Sequence, residues 1–508
     1  MPAHFSSLFR EERLDWERRR PCAPPGALEY WIHLCLRKSK GDKSGLFGSE
    51  DLFLTGFLPF LILPFMKQNF SPPIPFEKIP GGKYSPLWLT GSVWGVGMTL
   101  YLIGFFQRVA PAVMTSELMA AFEISAVGLG SLSASYYYSY VIMQIPTGVL
   151  ADSWGPRKLL TAGGMVAAVG AIIFSLAYEF FWANIGRVLI GGSVAVGYVA
   201  LLKLSSRWLP QKLYALAAGL ALFFGVVGAV AAGVPLRLLM DAFGWRSSLF
   251  ASGLITFGCA LLTWGIVRDD PAAKGYRSFA PQTPSESRPV PLSRMFAGLG
   301  TILRYRNTWL LFFSPAGVVG SILAFAGLWG VPYLKAEFNL DPAQGAAVCS
   351  LMMICWAVGG PVMGGLSDRM GRRKPLYLAG CLLNSCGWAL IIFSPDLSFG
   401  LFIALVVLTG FSGGGPILGF AFSKESVPAH LAGTIGGVIN TGMMIGTPIL
   451  QPVIGWILDM TWKGNLMQGV RVYDAASYKT GFAVMLVWSI LSCFIVSFTK
   501  ETHCRQVP

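Results

Sequence analysis

From residue 88 onward the chain alternates between long apolar stretches and short polar or basic breaks. A helix rises 1.5 Å per residue, so about 20 apolar residues cross the ~30 Å hydrocarbon core of a bilayer. Twelve stretches meet that length, over 88–113, 125–150, 159–178, 181–202, 216–240, 247–267, 308–334, 343–366, 375–394, 399–422, 431–458 and 479–498. They fall six and six around a stretch rich in Pro, Ser and Arg. The pattern predicts an all-α integral membrane fold of twelve transmembrane helices. Two six-helix halves, 85–267 and 308–498, are joined by a linker, 268–307, and followed by a tail, 499–508.

Residues 1–84 form an N-terminal segment outside this scheme. It opens with a charged run and carries a largely apolar run of fourteen residues from Leu52 to Phe65, broken by Pro59 and Pro64. That run is too short and too interrupted to span. Residues 1–65 read either as a mis-called start, with Met66 as the natural N-terminus, or as a basic tail with an interfacial segment. No cleavable signal pattern follows the first charges.

Composition sharpens the class. Charged residues make up 13% of the chain and hydrophobic ones 54%, with a mean hydropathy of +0.58. Soluble domains carry about 25% charged residues, so half the usual water-facing charge is missing. The net charge of +14 does not point to nucleic acid, because the basic residues sit in short loops between apolar runs. Counting from Lys67, 22 basic residues fall on the side of the linker and termini, against six on the other. The positive-inside rule then places both termini in the cytoplasm. The nine Cys lie mostly inside apolar runs without paired spacing, and the four His lie in tails or a loop. Neither set reads as a metal centre, and no cofactor is expected.

The chain also repeats itself. Gly148, Leu150, Asp152, Gly155, Arg157, Lys158 and Leu160 recur 216 residues later as Gly364, Leu366, Asp368, Gly371, Arg373, Lys374 and Leu376. Both runs lie between the second and third helices of a half, which indicates duplication. Gly155 and Gly371 suit tight turns, and Asp152 and Asp368 sit where a helix N-terminus favours a carboxylate. Arg157, Lys158, Arg372 and Arg373 are expected to bridge to the other half in one conformation and release in another, acting as a gate. A plainer reading gives these charges to orientation alone.

The paired loops resemble the G-x-L-x-D-x-x-G-x-[RK]-[RK] signature of the major facilitator superfamily, over about residues 85–500. The resemblance implies two six-helix bundles around a central cavity, working by alternating access. An Arg in the first helix and a Ser-aromatic-Tyr-x-x-x-Gln-x-Pro second helix are similar to the organic anion symporter branch. There the residue before that Arg is an Asp used in proton coupling; here it is Gln107. The superfamily's dipeptide carriers are a second resemblance. Drug antiporters carry Gly-Pro in the fifth helix where this chain has Gly228-Ala229, which counts against that branch. Arg187 matches the fourth-helix R-x-x-x-G pattern, a position linked to proton transfer, but no carboxylate partner is evident and a structural role is expected.

Charges inside a span cost about 2.5–3.5 kcal/mol at its centre, so each needs a reason. Arg108 and Arg187 are the two basic ones, while the nearest carboxylates, Glu117, Asp241, Glu425 and Asp459, lie at membrane edges. A net positive cavity follows, favouring an anionic or zwitterionic solute. Pro111 excludes the carbonyl of Gln107 from helical bonding, so a kink should free an acceptor beside the Arg108 guanidinium, which can clamp a carboxylate bidentately. Tyr136, Tyr140 and Gln144 recur at helical spacing with Tyr137 adjoining, and such groups must face a cavity or another helix. In the second half, Tyr333 and Asn440 are candidate cavity residues, Asn440 alternatively a helix lock. Glu117 and Glu425 are candidates for coupling. Gly413 to Pro416 should break the tenth helix. No P-loop Lys follows these glycines, so nucleotide binding is rejected.

The reading is transmembrane transport of a small carboxylate-bearing solute by organic anion symport, exchange or uniport. A dipeptide or amino-acid carrier, a drug or siderophore exporter, and a non-transporting membrane solute sensor are the alternatives. No nucleophile cluster or carboxylate pair within the membrane suggests an enzyme. The expected setting is a monomer in a lipid bilayer, with the bacterial inner membrane preferred.

Overall fold

A computed structural model of the chain describes residues 83–210, 213–279, 300–428 and 431–506. The expectations for residues 1–65 and for the middle of the linker lie outside them.

The first half runs α1 (Leu87–Val109), a 3-10 turn (Ala110–Val113), α2 (Thr115–Phe122), α3 (Ala126–Trp154), α4 (Pro156–Leu176), α5 (Phe180–Val194), α6 (Val196–Trp208), α7 (Tyr214–Ala231), α8 (Val234–Phe243) and α9 (Trp245–Ile266). The second runs α10 (Arg306–Ala324), a π turn (Phe325–Trp329), α11 (Gly330–Phe338), α12 (Pro342–Met370), α13 (Lys374–Phe393), α14 (Phe399–Ser412), α15 (Gly414–Glu425), α16 (Ala432–Met460) and α17 (Ala475–Ser497). Joined across their breaks, eleven of these are long and apolar enough to cross a membrane; α2 with α3, bent by 107°, brings the number to twelve. The expected break in the tenth span falls at Gly413. Two elements were not anticipated: α2, eight residues lying in an apparent loop, and the hairpin β1 (Leu466–Met467) and β2 (Val470–Arg471). Both are too short for periodicity to register.

Local chemistry ends the helices where the repeat predicts. Gly155 has φ +80° and Gly371 φ +62°, conformations that L side chains resist, and each turns the chain into the next helix. Asp341 and Gln344 form a reciprocal capping box on α12, and Asp474 accepts from the Ser477 amide, 2.9 Å away, on α17. Inside each half, small residues bring backbones together: a Cβ on Gly170 would lie 2.8 Å from the Gly186 oxygen.

The halves meet chiefly along α3 and α16. At the end opposite the repeated loops the contact is tight, since a Cβ on Gly130 would lie 2.5 Å from the Gln451 oxygen and one on Gly455 would strike the Ala126 carbonyl. Toward the repeated loops it loosens: a Cβ at Gly148, Gly436 or Gly437 would meet nothing within 4 Å. The contact between α3 and α16 is thus closed at one end and looser, or splayed, at the other.

The linker and tail are less free than their composition suggested. Residues just after α9 fold back on the first half, where the Arg277 amide donates to the Lys83 oxygen and Phe279 stacks on Tyr84 at 4.3 Å. Residues 500–506 pack on the second half in the same position relative to α17.

Candidate functional site

Arg108, near the end of α1, is 2% exposed. Its Nε donates to the Tyr136 hydroxyl at 3.1 Å, and its guanidinium lies 4.3 Å from the Phe105 ring centre and 4.7 Å from that of Tyr140. Among the described residues no carboxylate pairs with it. The Tyr136–Tyr140–Gln144 stripe is therefore only partly a cage for one cation. Tyr136 and Tyr140 enclose Arg108, whereas Gln144 Oε1 accepts from Asn440 Nδ2 across the halves at 2.8 Å. In this conformation Asn440 locks two helices together.

The region around Pro111 departs from expectation in an instructive way. The helix tightens into a 3-10 turn instead of kinking sharply, and the released Gln107 oxygen is taken by Arg187 Nη1 at 2.9 Å, not by Arg108. Arg187 is 1% exposed, sits 5.0 Å from the Tyr136 ring centre, and keeps Nε and Nη2 without partners. Tyr136 thus lies between two buried guanidiniums. Gln107 itself turns into the first half, where its Nε2 donates to Thr256 Oγ1 at 3.0 Å.

Tyr137 is buried with its hydroxyl unpartnered. Tyr333 is also buried and unpartnered, but it packs into an aromatic cluster of the second half with Phe325, Phe402, Tyr478 and Phe482, its ring centre 5.1–6.1 Å from theirs. None of those rings belongs to the Arg108 group. The residue that does come from the second half toward Tyr137 is Gln451, fully buried, with Oε1 unpartnered. A polar residue between Pro448 and Pro452 in an apolar span was the available signal for it.

In this conformation the described partners of the repeated-loop charges lie within their own halves, the released arrangement of the two that the gate reading expects. The Arg157 amide donates to Asp269 at 2.7 Å, and its Nη2 to the Trp264 oxygen at 2.7 Å. Arg373 pairs with Asp368 at 2.5 Å and Glu425 at 2.8 Å. Burial opposes the charge of Arg373, but its bonds to Glu425 and Asp368 outweigh that and raise its pKa. The side chains of Lys158 and Arg372 are exposed, and that of Asp152 lies outside the description. The helix N-termini are capped from a distance. Asp269 serves α4, and Glu501 accepts from the amides of Arg373 and Lys374 at 3.0 Å each.

Both coupling candidates are engaged elsewhere. Glu117 pairs with Arg237 at 2.5 Å near the closed end, and Glu425 holds Arg373 at the splayed end. The closed end also carries a carboxylate clamp that sequence reading did not find. Asp459 of α16 accepts from Ser125 Oγ at 2.6 Å and the Val127 amide at 2.9 Å, so it caps α3 of the other half. Tyr473 and Arg471 of the hairpin segment hold the same carboxylate at 2.5 and 3.2 Å.

Two six-helix repeats, matching charged loops and a buried cationic group between closed and splayed ends define a duplicated multi-pass membrane carrier. The chain belongs to the Major Facilitator Superfamily, whose family model matches residues 52–451 and 318–506. It is 25% identical to the probable sulfoacetate transporter SauU of Cupriavidus necator, over 74% of this chain and 88% of that one. It is 24% identical to the probable galactarate/D-glucarate transporter GarP of Escherichia coli, over 80% and 94%. Among solved structures it is similar in fold to a bacterial homologue of the human lysosomal transporter Spinster in an inward-facing, occupied conformation. That likeness has a TM-score of 0.65 and 15% identity, over 84% of this chain and all of the other.

Proposed function

We propose that the protein carries a small carboxylate-bearing solute by alternating access, with Arg108 docking the carboxylate. The observation that carries this is the environment of Arg108: a guanidinium buried at membrane depth, ringed by Phe105, Tyr136 and Tyr140, with, among the described residues, one side-chain hydrogen bond and no carboxylate beside it. A buried cation without a counter-ion is costly, and an anionic solute relieves that cost. The solutes in the names of the two relatives, sulfoacetate and galactarate or glucarate, are organic acids, which supports the same class. Tyr137, Tyr140, Gln144 and Asn440 then shape the cavity and its closure. With Gln107 bonded to Thr256, and with Glu117 and Glu425 in ion pairs at the two ends, exchange or uniport is favoured over proton symport through these groups. The excess of basic residues at the splayed end supports a cytoplasm-facing opening and cytoplasmic termini, and the bacterial origin of the two organic-acid relatives supports a place in the bacterial inner membrane.

Ligand-induced thermal stabilisation of detergent-purified protein tests the reading. The panel holds mono- and dicarboxylates, sugar acids, dipeptides, neutral sugars and cationic drugs. Acids should stabilise the wild type, and Arg108→Gln should weaken them at least tenfold, about 1.4 kcal/mol. Stabilisation by cationic or neutral compounds, unchanged in the variant, would reject the substrate class.

A further inference from the structure

Two cysteines that lie far apart in the chain meet inside the second half. Cys381 of α13 and Cys493 of α17 are both free, and their thiols hydrogen-bond to one another. Each has a serine one turn away on the same face of its helix. Ser385 Oγ donates to the Cys381 carbonyl at 3.0 Å, lies 2.9 Å from Ser489 Oγ and stands 3.5 Å from Cys493 Sγ. Ser489 Oγ donates in turn to Asn384 Oδ1 at 2.8 Å. The two i, i+4 pairs thus face each other, and the bonds among them hold the two sulfurs side by side.

A free cysteine in a core ordinarily serves as a small hydrophobe, a task that needs no second thiol beside it. Among the described residues no other thiol bonds a thiol. Access to this pair is one-sided. Cys381 is fully buried, whereas Cys493 is partly exposed and adjoins Ile490 and Phe494, which are 53% and 61% exposed. α17 packs on α10, α13 and α16 of its own half, so this apolar strip is its lipid face. Approach to Cys493 is through hydrocarbon, which admits neutral molecules and opposes charged ones.

Paired sulfurs suit soft, thiophilic centres. A trivalent arsenical is neutral and carries two hydroxyls on arsenic. Each thiol forms an As–S bond, each As–OH bond breaks, and the hydroxyls leave as water with the thiol protons, without a change of oxidation state. The second sulfur reacts within the complex already formed by the first, so a pair holds arsenic far more tightly than a lone cysteine.

We propose that Cys381 and Cys493 form a dithiol site, open to the bilayer, for neutral trivalent arsenicals. Occupation ties α13 to α17 within one half, and the site is independent of the reading of Arg108.

The test adds phenylarsine oxide to the full-length protein in lipid nanodiscs and counts the arsenic retained after washing by intact mass. The wild type should retain an arsenic that dimercaptopropanol removes, and its melting temperature should rise by several degrees on loading. Cys381→Ala and Cys493→Ala should each weaken retention at least tenfold and abolish the rise. Cys386→Ala, at an exposed cysteine of the same helix, should do neither. Cys381→Ser and Cys493→Ser, which keep a hydrogen-bonding group in place, decide the matter if the alanine variants melt early. N-ethylmaleimide should label Cys493, and a sulfonated, impermeant maleimide should not. Arsenic retained equally by the wild type and by both single variants overturns the site, as does its loss in Cys386→Ala. Labelling of Cys493 by the charged maleimide as fast as by the neutral one overturns its opening to the bilayer. None of these readouts uses the acid solute, so failure of the Arg108 dock and failure of this site are told apart.

Discussion

Arg108 and Arg187 flank the same tyrosine ring, and their other neighbours give them different work. Arg187 closes the gap that Pro111 opens by taking the Gln107 carbonyl, whereas Arg108 bonds one phenol and is otherwise ringed by aromatic faces. Removing Arg187 therefore orphans a buried carbonyl. Bonds from charged donors contribute about 1.5–3 kcal/mol, so Arg187→Gln should lower the melting temperature of the ligand-free protein by several degrees. Arg108→Gln should leave it unchanged or raise it, because a buried cation without a counter-ion is removed. Thermal melts of the two variants without ligand check the contrast. Arg108, Tyr136 and Tyr140 were legible as a cation in an apolar run followed by aromatics at i and i+4. The bond from Arg187 to Gln107 was not, because residues 80 positions apart have no local signature.

At the scale of elements, each half closes its third membrane helix with a carboxylate that follows its sixth: Asp269 on α4 and Glu501 on α13. Burial alone would push the Glu501 carboxyl up, but amide donors, those of Arg373 and Lys374 foremost, hold it below the usual glutamate range. A depressed folded pKa contributes stability that is fully present above the unfolded value, near 4.3, and is lost as pH falls from there through the lower folded value. Melting temperature should therefore drop on acidification below about pH 5, with the drop shallower in Glu501→Gln. A pH series of melts on the two proteins reads this directly. Pro and Gly announced some interruptions, such as that at Gly413, because those residues change the backbone themselves. The π turn over Phe325–Trp329 holds Gly327 but no Pro, and a lone Gly in an apolar run does not announce a π turn. It packs against the opposing 3-10 turn, a contact that no single segment encodes.

For the whole molecule, the balance between the closed and splayed ends is the property that transport uses. Asp459 binds the N-terminus of α3 from the opposite half, while the charges at the splayed end are held within their halves. This clamp should favour the state seen here. Asp459→Asn loses charge-assisted bonds of about 1.5–3 kcal/mol each, enough to shift a two-state balance tenfold or more. Gly455→Ala should act in the same direction by driving a methyl into the Ala126 carbonyl. Spin labels placed across the splayed end should report a shorter distance distribution in both variants; an unchanged distribution would mean the clamp does not set the balance.

The sequence by itself determined the number of crossings, their division into halves, the repeated loops and the two intramembrane cations. Hydropathy and repetition are properties read along one dimension, and a membrane leaves a chain few ways to satisfy them. Only the tertiary structure decided that Arg187 meets the Gln107 carbonyl and Arg108 a phenol, that the described loop charges stay within their halves, that Asp459 rather than a loop charge joins the halves, and that Gln451 meets the Leu323 carbonyl. Those outcomes depend on distances between helices that lie far apart in the chain. They are set by how closely small residues let backbones approach, and only the packed bundle fixes that.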